Sequence, residues 1–171
     1  MKKLLYIFYS LIISKIPGGN NSIGKSFRRR FQRLLGITLG TNAVIGHHTI
    51  ISYHVLDKLV IGNDSGVGPY SYIMGTGKII IGKNVICAPK ITFVTRWHEI
   101  FYDKNGEKIN IQKEGGITIG DNVFLGTNVT ILPNVNIGEK SIIASGTTVY
   151  KSVPPNSFVR GAKMVMDRLE G

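Results

Sequence analysis

The sequence predicts an all-β chain, a parallel β-helix of about five three-sided coils wound from six-residue blocks. Three observations predict it. From Ile119 the chain reads IGDNVF, LGTNVT, ILPNVN, IGEKSI, IASGTT and VYKSVP, with an apolar residue opening every block. The same register recurs at Leu39, Ile45 and Ile51, at Ile61, Val67 and Ile73, and at Ile81, Cys87 and Phe93, and it breaks only after every third block. The fourth place of the blocks holds Asn42, Asp64, Asn84, Asn122, Asn128, Asn134 and Gly146, residue types that tolerate a left-handed backbone and so suit corners.

Each block then supplies a short strand and a corner. One coil alone cannot bury its opening side chains, so coils must stack about 4.8 Å apart, which lines those side chains into interior columns. A helix is excluded because a six-residue spacing does not stay on one face of a 3.6-residue period. Cys87 opens a block, so its thiol is expected inside the coil as a small core residue. His48 and His54 fall at corner places, with His47 pointing outward beside them.

Residues 39–153 form this β-helix, interrupted by one long excursion, 94–118. An irregular loop on a rigid scaffold is where function is usually placed. Residues 1–38 form a basic, partly apolar helical segment: one helix over 2–16, ended by Pro17-Gly18-Gly19, and a second, basic helix over 22–35. Residues 154–171 form a tail of strand and helix, in which Pro154-Pro155 stops the last strand of the coils and Ala162 to Leu169 make a short helix.

The net charge of +11 is concentrated at the start of the chain. Residues 1–38 carry eight basic side chains and no acidic one, whereas residues 39–171 carry thirteen basic against ten acidic. So mild a surplus on the body offers no continuous basic groove for nucleic acid. The apolar run from Leu4 to Ile13 lacks a small-residue cleavage site and is too short to cross a bilayer. Together with the basic residues that follow, it suits peripheral contact with an anionic membrane; the alternative is packing against the coils or another subunit, with the basic residues solvated. A single cysteine forms no disulfide within the chain and fits a cytoplasmic protein.

Repetition of Ile-Gly-x-x-Val-x over residues 39–160 resembles the hexapeptide-repeat acyltransferases. Ala88-Pro89, then Thr95 and His98 at the start of the excursion, then the return Ile117 to Gly120, resemble the maltose and galactoside acetyltransferases among them. The start of the chain, Ile16-Pro17-Gly18 and the basic segment through Leu34-Leu35-Gly36, is similar to members that act in polysaccharide biosynthesis. The resemblance implies left-handed coils, a homotrimer, acetyl-CoA as cosubstrate, and His98 as the base that takes a proton from the acceptor during direct attack on the thioester. A histidine suits that role because its ordinary pKa lies near neutrality. Glu99 and Asp103 are candidates to orient His98, and Trp97 could wall the acceptor pocket.

Coenzyme A in this family lies along the outside of the C-terminal coils, and the matching positions are Gly126-Thr127, Ala144-Ser145 and Tyr150-Lys151, with Arg160, Lys163 and Arg168 for the 3′-phosphate. The chain departs from the pattern twice. Gly161-Ala162-Lys163 lacks the family's proline, and Gly68-Pro69-Tyr70 lacks the asparagine that helps hold the oxyanion, which leaves a backbone amide for that task. A zinc enzyme on the same scaffold needs about three converging ligands, but His98 stands alone and His47 and His48 lie two coils away. No metal is therefore expected. The function expected is acetyl transfer from acetyl-CoA to a sugar hydroxyl in surface-polysaccharide biosynthesis, with an amino-sugar N-acetyltransferase or a non-catalytic assembly module as alternatives.

Overall fold

The computed structural model of the chain describes residues 1–16 and 23–161. Its body is a parallel β-helix whose three faces are three sheets. The first stacks Thr38–Leu39, Leu59–Ile61, Ile79–Ile81, Ile117–Ile119 and Asn136–Ile137, all parallel. The second runs from Val44–Ile45 through Gly66–Val67, Ile86–Cys87, Phe124–Leu125 and Ile142–Ile143 to Phe158–Val159. The third stacks Ile50–Ile51, Tyr72–Met74, Thr92–Val94, Thr130–Ile131 and Thr148–Val149.

All fifteen block-opening residues are buried, Leu39 and Cys87 included. Burial pushes the Cys87 thiol up to about 12. The fifth places are interior as well: Val85, Val123, Val129 and Val135 are apolar, while Ser65, Ser71 and Ser141 are buried hydroxyls. Those hydroxyls are satisfied across the coil boundary. Ser65 Oγ donates to the carbonyl of Gly82 and accepts from the amide of Val85, and Ser71 Oγ likewise accepts from the amide of Ile91. The corners have positive φ at Asn42, His48, Asp64, Asn84, Asn122, Asn128, Asn134 and Gly146, and also at Tyr70, Lys90, Lys140 and Asn156. Gly126 shows why the residue after an opening position is small. A Cβ there would lie 2.5 Å from the backbone nitrogen of Ser145 in the next coil.

Three expectations need correction. The winding does not stop at Pro154-Pro155: Val153 bridges Ile137, and Phe158–Val159 pairs with Ile142–Ile143, which begins a sixth coil. The prolines sit in a corner, where no ladder N–H is required, and the Pro154 carbonyl accepts from the hydroxyls of Ser141 and Ser157. His54 is not at a corner, because the ten-residue interval after Ile51 folds into a 3₁₀ helix, Tyr53–Lys58, that buries Val55 and Leu56. The excursion is not irregular. It is an antiparallel hairpin of Arg96–Tyr102 and Lys108–Glu114.

The first coil has no neighbour above it, and its upward carbonyls are covered by the N-terminal helices α1 (Lys2–Leu11) and α2 (Ile23–Leu34). Tyr6 donates to the carbonyl of Ile51, Arg33 to that of Leu39 and Arg29 to that of Gly40. Arg28 is buried and donates to the carbonyl of Ile16. Tyr9 and Ile13 complete the core from above, with Gln32 donating to the Tyr9 hydroxyl. The segment thus packs on the coils, and three of its arginines, Arg28, Arg29 and Arg33, donate to backbone carbonyls. Among the described residues no helix is long and apolar enough to cross a membrane. The expected helix from Ala162 to Leu169 lies outside the described residues.

Candidate active site

The hairpin leaves the β-helix at the corner between the third and first sheets, and Thr95 roots it. The buried Thr95 hydroxyl donates to the carbonyl of Met74 and accepts from the amide of Gly77, while the Gly115 amide closes the base on the Thr95 carbonyl. A second tie comes from Thr76, which donates to the Glu114 carboxylate at 2.6 Å. At the tip, Asp103 Oδ1 accepts from the amides of Asn105 and Glu107, and Gly106 takes the positive φ of the turn.

His98 stands on the first strand of this rooted ribbon, exposed, and opposite Gln112 in the register. Its Nδ1 lies 2.8 Å from Oδ1 of Asn110, which is the diagonal neighbour across the strands. An amide oxygen can only accept, so Nδ1 is the donor in this contact, and in the neutral ring Nε2 is the nitrogen left with a lone pair. Such an imidazole can take a proton from a hydroxyl or amine. The carboxylates expected beside it are engaged elsewhere: Glu99 pairs with Lys113 at 2.7 Å, and Asp103 is held in its own turn. Asn110 is the residue that sequence reasoning missed. Trp97 is half-buried and lies opposite Lys113.

The positions expected to hold coenzyme A fall on two edges. Gly126, Ala144 and Arg160 each follow a residue of the stacked trio Leu125, Ile143 and Val159, so with Thr127 and Ser145 they share the corner between the second and third sheets. Tyr150 and Lys151 follow Val149 on the other edge, the one from which the hairpin leaves, two coils or roughly 10 Å further along. Tyr150, Lys151 and Arg160 together line an open cleft of about 870 Å³ at this end of the coils. Lys163 and Arg168 lie outside the described residues.

His47, His48 and Tyr70 form a separate cluster on the first two coils, with the His48 and Tyr70 rings stacked 4.9 Å apart. Burial first, then the neighbouring His48 and Arg28, lowers the pKa of His47. Among the described residues no three of His, Cys, Asp and Glu converge as a metal site.

The family model for bacterial transferase hexapeptide (six repeats) matches residues 116–151. The chain is 31% identical to a putative colanic acid biosynthesis acetyltransferase of Escherichia coli, over 81% of this chain and 73% of that protein. It is 34% identical to the galactoside O-acetyltransferase of the same organism over 72% of this chain, but spans only 59% of that relative's length. Among solved structures, a hexapeptide-repeat acetyltransferase from Vibrio cholerae, complexed with acetyl coenzyme A, is similar with a TM-score of 0.75 at 26% identity, covering 94% of this chain and 82% of that one.

Proposed function

From its membership of the hexapeptide-repeat acyltransferases, the family to which this left-handed β-helix belongs, we propose that the chain transfers an acetyl group from acetyl-CoA to a saccharide hydroxyl in surface-polysaccharide biosynthesis. The observation that carries the reading is the pair His98 and Asn110 on a rooted hairpin. Nε2 of His98 removes the proton of the acceptor hydroxyl as its oxygen attacks the thioester carbonyl. The tetrahedral intermediate collapses with cleavage of the carbon–sulfur bond, and the imidazolium returns the proton to the leaving thiolate.

Coenzyme A lies along the cleft at the end of the coils. Its adenosine end is held near Lys151 and Arg160, and the small residues Gly126, Thr127, Ala144 and Ser145 allow close approach of its pantetheine arm along the corner between the second and third sheets. Tyr150 packs beside Lys151, whose Nζ is 5.7 Å from the ring centroid. A backbone amide serves as oxyanion donor.

The resemblance to the family implies a homotrimer, and in it a neighbour closes the open face on which one chain leaves His98. The exposed ladder Ile86, Phe124, Ile142 and Phe158 along the second sheet supplies apolar surface for that contact. The setting is cytoplasmic, where acetyl-CoA is made.

Following acetyl-CoA consumption against a panel of sugars, sugar nucleotides, amino sugars and polysaccharide fragments tests the reading. A hydroxyl acceptor is expected, with turnover at least ~10²-fold lower in His98→Ala. Full turnover in the purified variant would remove the mechanism, and acceptance of amines alone would replace O- by N-transfer.

A further inference from the structure

The N-terminal helices carry an apolar surface that the coils do not use. On α1 Leu4, Phe8 and Leu11, and just past its end Ile12, are exposed, Leu4 73% and Leu11 61%. Phe8 meets Phe31 of α2 with ring centroids 5.9 Å apart, and Phe31 meets Phe27 at 5.0 Å, so the surface continues from one helix to the next. It runs on along α2 to Leu34, 59% exposed. Contiguous apolar surface of this kind marks a contact site.

What borders this surface identifies its occupant. Lys3 and Arg30 flank the apolar stripes, exposed and with no hydrogen bond or ion pair among the described residues. No acidic side chain occurs anywhere in residues 1–38 to oppose them. A second copy of this chain would bring its own cations against these. It also has a separate apolar ladder, on the flank of the second sheet, to bind. An apolar platform rimmed by unopposed cations is complementary to the headgroups and outer acyl region of an anionic bilayer.

We propose that α1 and α2 together are a peripheral membrane anchor that seats the free end of the β-helix on an anionic lipid surface. The helices lie in the interface and the coils stand away from it. His98, leaving the third coil, is then held about two coil spacings, roughly 10 Å, beyond the first coil. The anchor stands independently of the acetyl-transfer reading.

Flotation of the full-length protein tests it, on vesicles of phosphatidylcholine alone and of phosphatidylcholine mixed with phosphatidylglycerol. The protein is expected to float with the anionic vesicles at low salt and less so at high salt. Partitioning should fall at least ~10-fold in Leu4→Gln/Leu11→Gln, since two exposed leucines no longer enter the lipid. Arg30→Glu should weaken binding to the anionic vesicles and leave the neutral ones unchanged. Acetyl-CoA binding, measured on the same samples, should match the parent. A full-length protein that stays with the soluble fraction on anionic vesicles at low salt would overturn the proposal. So would an oligomer that falls apart in Leu4→Gln/Leu11→Gln by light scattering, because the surface would then belong to another copy.

Discussion

Replacing Asn110 by Ala isolates what the hairpin contributes to the proposed base. The side chain makes one hydrogen bond to His98, at 2.8 Å and exposed to solvent, and that bond fixes both the tautomer and the orientation of the ring. A net hydrogen bond of this kind is worth about 0.5–1.5 kcal/mol, which corresponds to a fall in kcat of roughly 2- to 12-fold. The KM for acetyl-CoA should not move, because Asn110 lies on the hairpin and the cleft lined by Tyr150, Lys151 and Arg160 is built by other residues. Asn110→Asp adds a second signature. A carboxylate against Nδ1–H favours the imidazolium, so the acid limb of the kcat/KM profile should shift to higher pH relative to the parent. The assay is steady-state turnover with acetyl-CoA at saturating acceptor, across the pH range, on all three proteins. Unchanged kcat in Asn110→Ala, or a loss expressed wholly in the KM for acetyl-CoA, would refute the reasoning.

Three further outcomes follow from the coils. Lys151→Ala should raise the KM for acetyl-CoA more than that for the acceptor, and dephospho-coenzyme A should compete less well than coenzyme A with the parent protein; equal competition would leave the 3′-phosphate unread. Cys87, with its thiol pushed up to about 12 by burial, should resist a thiol reagent at pH 8 until the protein is denatured, as followed by mass spectrometry. Ile51→Ala, at a buried side chain, should cost about 2–5 kcal/mol in urea unfolding, whereas Ile50→Ala on the outside of the same strand should cost far less. Similar losses for the two would mean that the inward and outward alternation is misassigned.

The fold was legible because every coil repeats the same solution. Ile119, Leu125 and Ile131 each announce a strand, and Asn122, Asn128 and Asn134 each announce a corner, so the pattern is stated many times over. Where the repeat lapses, single-sequence reasoning weakened. His54 sits at six-residue spacing, yet four extra residues between coils gave Val55 and Leu56 room to turn inward as a short helix. Pro154-Pro155 looked like a stop because proline ends strands, but a corner needs no donor there. The hairpin had a usable signal in Asn105-Gly106, the strongest short-range cue for a tight turn. Pairing the strands outward from a two-residue turn there would be out by one residue, which flips every side chain to the other face; the observed five-residue turn between Tyr102 and Lys108 is what sets Asn110 diagonally across from His98. The arginines of α2 were countable but not assignable, since only the packed helix shows which carbonyls Arg29 and Arg33 reach.

The bonds from Tyr6, Arg29 and Arg33 to the first coil also govern how far the structure can extend. A stack of parallel strands is a template at its rim, ready to add one more strand of the same spacing from any chain that offers it. Addition by translation along the axis never closes on itself, so it yields a filament rather than a ring. By occupying the carbonyls of Ile51, Gly40 and Leu39, the three side chains terminate that growth. A whole coil inserted in the middle would leave the rim and its three terminators as they are, so such a molecule can lengthen through evolution without learning again how to end.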